Sequence, residues 1–476
     1  MTGDRTSSKH RLIIASNRLP LSIDKSDGNY RATSSSGGLV TALRGLSTSN
    51  YLWLGWPGME IGEAEREKVD AVLEKENASA VYLSDKTAQN HYNGFSNEIL
   101  WPILHYQSGV HMNFEAWDAY QQVNEAFADR ISEEAEDGDL IWVHDYHLLL
   151  LPSMLRQRLN LQSKCCPIGF FLHTPFPVDD FWRGLPVQET ILRGVLGSDI
   201  IGFHTEEYKK NFIGACKILL GDDVTEHSVQ HDNRTTRLDQ YVVGIDNQKF
   251  SNALNDQAVK SRVKELEYLY KDKTIIIGVD RLDYTKGLPE KFNGFQVFLD
   301  EHPDWTEKVV LIQVAIPSRE DVDRYKDLEE EVSRLAGQII GKYATPHSTP
   351  LLYIHRSVSF EELVALYSIS DVCLLSSHRD GMNLVASEYV ACQEGRYGVL
   401  VLSEFTGAAT LLKEGCLLIN PSNPRTISDM LHKAITMESE KKKANYQQLR
   451  DFVTTRTSAK WTETFLHDLC LLRNEK

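Results

Sequence analysis

The sequence predicts an α/β protein built from two doubly wound domains. Three observations lead there. The chain has 476 residues, 42% of them hydrophobic and 25% charged, which is enough apolar matter for two cores. Short continuous apolar runs bounded by turn residues recur along it, and amphipathic stretches of helical spacing separate most of them. Strands that are apolar throughout and alternate with helices belong to parallel sheets covered on both faces.

In the first half the apolar runs fall at 12–15, 51–55, 140–143, 168–172, 200–203 and 241–243. A second series follows at 274–279, 309–316, 351–354, 372–375, 399–402 and 417–419. The stretch 247–273 between them is charged and carries Val263, Leu266 and Leu269 at helical spacing, so it opens the second domain. The expected division is 1–246, 247–457 and a terminal helix within 458–476. On that helix Trp461, Phe465 and Leu469 recur at i, i+4 and i+8 and need a surface to pack on, which is taken to be the first domain. No repeat of 20 to 50 residues and no low-complexity segment occurs.

Charge narrows the function. With 51 Lys and Arg against 67 Asp and Glu, the net charge of −16 is the wrong sign for gripping nucleic acid or an anionic membrane, so neither is an expected partner. An anionic substrate would need locally clustered cations. No apolar stretch approaches the ~20 residues of a membrane span, and no secretory signal is expected from the polar start at 1–9. Seven cysteines without a C-x-x-C pair fit a reducing, cytoplasmic setting.

Open α/β sheets bind ligands at the carboxyl ends of their strands, so candidate chemistry is sought there. The loop Ser36-Gly37-Gly38-Leu39 precedes a helix-like segment and suits a phosphate, although a Ser/Gly turn without ligand reads the same way. After the run at 274–279, Arg281 and Lys286 share one loop and could reach a diphosphate, or simply pair with the local aspartates. The most specific segment is Arg379-Asp380-Gly381-Met382-Asn383-Leu384, in which a buried strand, a glycine turn and a helix start follow in order. Glu388, seven residues past Gly381, would lie two helical turns and about 10 Å deeper, facing a ribose or else paired with Arg396.

In the first domain His144-Asp145-Tyr146-His147 and His173-Thr174-Pro175-Phe176-Pro177 follow strands. His144 and His147 lack further ligands at a telling spacing, so no metal is expected; Asp145 reads as an acceptor for sugar hydroxyls. Trp53 reads as core, whereas Trp56, Tyr92 and Trp101 adjoin Gly, Asn or Pro and are candidates for lining a pocket.

Together with Ser16-Asn17-Arg18-Leu19-Pro20, Tyr92-Asn93-Gly94-Phe95-Ser96-Asn97, Asp280-Arg281-Leu282-Asp283-Tyr284 and Glu404-Phe405-Thr406-Gly407-Ala408-Ala409, these strings resemble the trehalose-6-phosphate synthases over residues 12–472. The resemblance implies a GT-B fold, two Rossmann-like domains facing a cleft, with acceptor bound by the first and nucleotide sugar by the second. It implies a retaining, metal-independent and cofactor-free transfer of glucose from UDP-glucose to glucose 6-phosphate. Arg281 and Lys286 would neutralise the diphosphate, Glu388 would hold the ribose, and Gly37, Gly38, Gly381, Met382, Asn383 and Leu384 would complete the cradle. Asp380 and His173 would bind the donor glucose; Arg18, Tyr92 and Arg319 would take the acceptor phosphate, with Trp56, Trp101 and Asp145 around its sugar. Arg281, Lys286, Asp380 and His173 make up the implied catalytic set.

The sequence departs from the family pattern at Val242-Val243 and at Glu320. A related transferase with another acceptor, or a non-catalytic regulatory subunit, are the alternatives. A homo-oligomer is expected, and a complex with a trehalose-phosphate phosphatase is a further partner; no Asp-x-Asp-x-Thr phosphatase loop occurs in the sequence, so dephosphorylation is expected to fall to another protein.

Overall fold

Among the described residues nine strands form the first sheet, around the apolar run at 12–15. The computed structural model describes residues 11–26, 29–34, 50–319 and 322–474. By its internal contacts the chain divides into two units, residues 1–242 with 458–476, and residues 243–457.

In unit 1 the strands are β1 (Leu12–Arg18), β2 (Leu21–Ser26), β3 (Asn29–Ser34), β4 (Tyr51–Trp56), β5 (Ala78–Ala80), β6 (Leu140–His144), β7 (Ile168–Phe171), β8 (Ile200–Phe203), β9 (Asp223–Val224), β10 (Ser228–His231) and β11 (Arg234–Gln240). β2 and β3 form a separate antiparallel hairpin. The main sheet runs β5-β4-β1-β6-β7-β8-β11-β10-β9, parallel except at the β9–β10–β11 edge. β6, β7 and β8 are buried along their whole length, which is why they are apolar at every position except His144 at the end of β6.

The expected strand at 241–243 is not formed. β11 ends at Gln240; the Tyr241 amide still donates to the Phe203 carbonyl of β8 at 2.8 Å, while its ring lies 5.0 Å from Phe465 and its hydroxyl donates to Asp468 Oδ2 at 2.8 Å. Contact with the helix Ser458–Asn474 accounts for the apolar ring at Tyr241. The true strand is polar and alternating, with Thr236 and Leu238 turned inward, and so lacks the continuous run that marks its neighbours.

The helix Ser458–Asn474 lies on this sheet. Phe465 stacks on Trp142 at 4.5 Å, and Trp461 meets Phe171 edge-on at 5.1 Å. The close approach needs bare backbone below: a Cβ at Gly169 would stand 2.7 Å from the Phe465 ring. Trp461, Phe465 and Leu469 are all buried, each stabilising the unit by about 1.5–3 kcal/mol on area alone.

Unit 2 holds β12 (Thr274–Arg281), β13 (Val309–Ile316), β14 (Leu351–Ile354), β15 (Val372–Leu375), β16 (Val399–Ser403) and β17 (Leu417–Ile419) in one parallel sheet ordered β14-β13-β12-β15-β16-β17. The expected helical stretch ahead of it is two helices, Asn247–Asn255 and Gln257–Leu269. Asp256 breaks the run because its carboxylate caps the second, accepting from the Ala258 amide at 2.7 Å.

Both sheets place their first strand beside their fourth when strands are counted within the doubly wound core, β1 beside β6 and β12 beside β15. At such a switch point the connections leave in opposite directions and open a crevice at the carboxyl ends. Each unit therefore carries one. Among the described residues no helix is long and apolar enough to cross a membrane, and the seven cysteines are unpaired.

Candidate active site

At the switch point of unit 2, β12 ends in Arg281 and the chain turns through Asp283 into a 3-10 turn, Tyr284–Lys286. The Asp283 side chain is fully buried, where an unpaired carboxylate would be costly. Its Oδ1 accepts from the Thr285 amide at 2.9 Å and hydroxyl at 2.8 Å. Its Oδ2 faces Arg319 Nη1 at 3.2 Å, the Tyr325 hydroxyl at 3.2 Å and Arg281 Nη2 at 3.9 Å. Burial alone would push this carboxyl up, yet Arg281, Arg319, the Thr285 amide and Lys286 hold it well below the usual carboxylate range.

One buried anion thus gathers two guanidiniums. Arg281 keeps 42% of its side chain exposed while Arg319 keeps 4%, so Arg281 is open to a solvent-borne anion and Arg319 is fixed. Arg319 also donates to the Tyr325 hydroxyl and stands at φ 52°, a left-handed conformation that a non-glycine residue holds only when its surroundings over-determine it.

Lys286 projects from the same loop to Asp380 Oδ2 at 2.5 Å. Gly287 follows at φ 63°, with its would-be Cβ 2.2 Å from the Ser376 carbonyl oxygen, so only glycine lets this loop touch the end of β15. Asp380 Oδ2 also accepts from Asn383 Nδ2 at 3.0 Å. The Gly407 amide donates to the Asp380 carbonyl at 2.9 Å and the Ala408 amide to the Met382 carbonyl at 3.1 Å, clamping the Gly381-Met382 turn.

The helix Leu384–Ala391 begins only after Asn383, which sits at φ 65°. Glu388 is consequently about one turn, or about 6 Å, into the helix, not the two turns expected from Gly381. It accepts from the Tyr367 hydroxyl at 3.1 Å. Arg396, the alternative partner, faces Asp371 at 3.4 Å instead. Burial pushes the Glu388 carboxyl up, against the Tyr367 hydrogen bond and the charge of Lys249.

The switch point of unit 1 is built from aromatic and imidazole groups. Arg18 ends β1 and lies over the ring of its strand neighbour Trp56, 4.9 Å from the centroid, and 6.0 Å from that of Tyr92. Tyr92 belongs to the π-helical stretch Asn90–Leu100 and stacks on His147 at 5.6 Å. Trp101 is buried against Tyr146 at 5.5 Å. Trp53 is core and donates its indole N–H to Ser16 Oγ at 2.7 Å.

Asp145 follows β6 at φ 74° and accepts from the His173 amide at 3.2 Å. His173 shares a ring hydrogen bond with His144, Nε2 to Nδ1 at 3.2 Å, and sits 5.8 Å from Trp461. Burial pushes the His144 imidazole down to about 3 and His91 to about 4, and His173 well below its ordinary value, so the group is neutral near pH 7. Among the described residues no three His, Cys, Asp or Glu side chains are arranged to hold a metal ion.

The structure brings Arg281, Arg319, Lys286, Asp380, Met382 and Asn383 into one cluster of unit 2, and Arg18, Trp56 and Tyr92, with Trp101, Asp145 and His173, around the crevice of unit 1. Gly37, Gly38 and Glu320 lie outside the described residues. Sequence reasoning gave no role to Tyr325 or Tyr367, for which no local motif exists; it weighed the loop aspartates only as local partners of Arg281 and Lys286, and His144 only as a metal ligand.

The sequence profile of glycosyltransferase family 20 matches residues 10–470. The chain belongs to glycosyltransferase family 20. Among family 20 relatives, the chain is 48% identical over 464 residues to the UDP-forming α,α-trehalose-phosphate synthase 56 kDa subunit of Kluyveromyces lactis, covering 96% of this chain and 95% of that one. It superposes on a solved trehalose-6-phosphate protein of E. coli bound with UDP-2-fluoro glucose at a TM-score of 0.87 and 33% identity, over 97% and 99% of the two chains. A structure of the N-terminal domain of Candida albicans trehalose-6-phosphate phosphatase matches at a TM-score of 0.89 and 32% identity, over 99% and 98%. The family 20 chain accordingly has the GT-B fold expected from its sequence.

Proposed function

We propose that this family 20 chain is a glycosyltransferase of trehalose biosynthesis that moves glucose from UDP-glucose to glucose 6-phosphate, giving α,α-trehalose 6-phosphate and UDP with retention of configuration. What carries the reading is the gathering of Arg281, Lys286 and Arg319 at one switch point of an otherwise acidic chain, in a family whose relatives are named UDP-forming synthases.

In unit 2, Arg281 and Lys286 neutralise the diphosphate, with Gly381, Met382, Asn383 and Leu384 offering backbone around it. Glu388 takes the ribose hydroxyls, Asp380 the donor glucose, and Arg319 an acceptor phosphate. In unit 1, Arg18 and Tyr92 serve the acceptor phosphate, Trp56, Trp101 and Asp145 its sugar, and His173 the donor glucose.

The chemistry asks little covalent work of the protein. As the C1–O bond to UDP breaks, positive charge grows on the sugar ring and negative charge on the leaving phosphate, where Arg281 and Lys286 lower the barrier. The acceptor hydroxyl attacks the same face, and its proton passes to the departing phosphate oxygen, so positioning dominates and no pair of flanking carboxylates is required. Lys286, bonded to Asp380, exchanges that carboxylate for phosphate.

The reading extends to a cytoplasmic enzyme whose unpaired cysteines stay reduced. It further includes self-association and a complex with a trehalose-phosphate phosphatase, in keeping with a relative named as a subunit. The test is direct: purified protein with UDP-glucose and glucose 6-phosphate, with UDP release and the anomeric configuration of the product followed by NMR. An α,α-linked phosphorylated disaccharide is expected; absence of product with either UDP- or GDP-glucose defeats the proposal.

A further inference from the structure

We propose that Tyr367 is a positioning residue for the nucleotide ribose: its buried hydroxyl holds one oxygen of Glu388 and thereby presents the other to the ribose hydroxyls. The inference rests on the reading of Glu388 as the ribose acceptor.

Tyr367 lies near the end of the helix Phe360–Ile369 and is fully buried. Its ring meets Tyr389 edge-on at 6.3 Å, and its carbonyl accepts from Gln393 Nε2 at 2.5 Å. Tyr389 is anchored in turn, its hydroxyl donating to the Ser370 carbonyl at 3.2 Å. A ring packed this way cannot swing, so the direction of its O–H is set by the core.

That hydroxyl donates to Glu388 Oε2 at 3.1 Å, the carboxylate's one hydrogen bond among the described residues. An ionised carboxylate can accept about four, so Oε1 retains its full capacity while Oε2 is anchored. A flexible side chain is thereby converted into a directed acceptor one turn into the helix that follows β15, the strand of the switch point.

The groups facing Glu388 explain why this donor matters. Tyr367 approaches from its own helix and Lys249 from the helix Asn247–Asn255, while the thiols of Cys373 on β15 and Cys392 beyond Ala391 stay protonated through burial. Burial pushes the carboxyl up, and the Tyr367 hydroxyl is the larger of the two influences that oppose it. Without that hydroxyl, Glu388 takes up its proton at a higher pH and loses its fixed orientation together.

The experiment measures binding of UDP, 2′-deoxy-UDP and 3′-deoxy-UDP by calorimetry to the wild-type chain, to Tyr367→Phe and to Glu388→Gln, with folding of each variant checked by circular dichroism. In the wild type, loss of the held hydroxyl is expected to weaken binding about 10-fold. In Tyr367→Phe, UDP should bind about 5-fold more weakly, the deoxy penalty should shrink to about 2-fold, and the deoxy ligand should bind as it does to wild type. The pH at which UDP affinity is lost on acidification should also lie higher for Tyr367→Phe than for wild type.

A Tyr367→Phe chain that keeps the full deoxy penalty, or shows the wild-type pH profile, overturns the positioning role. Glu388→Gln separates the two layers. If it keeps the penalty, the ribose reading fails and takes this inference with it; if it abolishes the penalty while Tyr367→Phe does not, only the inference fails.

Discussion

At the β1/β6 switch point the polar side chains are indoles and imidazoles, the imidazoles kept neutral by burial, whereas at β12/β15 they are guanidiniums, a lysine and carboxylates, with Asp283 held well below the usual carboxylate range by the cations around it. The strand order around the two crevices is the same. What differs is the charge that each loop set delivers, and the difference fits the division proposed here: neutral hydrogen-bonding and aromatic groups for sugar rings, a cation cluster for phosphates. Asp145 adds a carboxylate to unit 1 and Arg18 a cation, but Arg18 is exposed and laid over aromatic rings instead of being trapped by a buried carboxylate.

The comparison is broken most forcefully at the cations. Arg281→Ala should lower kcat by about 10²- to 10³-fold, the cost of removing a charge-assisted donor from the leaving phosphate. Arg319→Ala should instead raise the KM for glucose 6-phosphate by about 10-fold or more and spare that for UDP-glucose. Steady-state kinetics of both variants decide it; equal, small effects would erase the distinction between donor and acceptor cations.

Next in size is the aromatic seam of unit 1. Phe465→Ala should destabilise that unit by about 3–5 kcal/mol, since the ring fills the space left by Gly169 and stacks on Trp142. Hydrogen exchange should show protection falling in β7 and β8 while β12 and β13 keep theirs.

Acid sharpens the contrast. His91 and His144 have folded pKa values depressed to about 4 and about 3 from an ordinary value near 6.5. The unfolded chain therefore binds more protons below pH 6.5, and the stability these residues contribute is complete above that pH and lost as it falls toward 4 and 3. The loss is about 1.4 kcal/mol per pH unit for each imidazole. Asp283, also depressed, contributes stability that is complete above pH ~4 and is lost only below it. Exchange at pH 7 and pH 5 should thus weaken unit 1 and leave the Asp283 cluster intact.

The smallest effect belongs to the exposed pair Lys342–Asp300, 2.8 Å apart. Lys342→Ala should leave the urea midpoint unmoved, because two solvated side chains gain little from meeting.

Much of this architecture is legible in the sequence because a parallel strand covered on both faces must be apolar at every position; Ile200–Phe203 and Val372–Leu375 are read to the residue. Where one face meets water the signal fails, as in β11, and where a buried loop mimics a strand it misleads, as at Tyr241. The GT-B fold was legible through its motifs. Lys286 and Asp380 sit in strings that announce a loop at a strand end, yet their pairing across 94 positions appears only in three dimensions. The same holds for Asp283, Arg319 and Tyr325: no local pattern says that one buried carboxylate collects them. Glu388 was placed too deep because the left-handed Asn383 delays the helix, and a backbone angle of that kind leaves no mark on hydrophobic periodicity.

The most direct measurement is equilibrium binding of UDP to Arg281→Ala and Arg18→Ala, side by side with the wild-type chain. The account predicts at least about a 10-fold loss for Arg281→Ala and a change under about 2-fold for Arg18→Ala. UDP binding that survives Arg281→Ala and collapses in Arg18→Ala would contradict it.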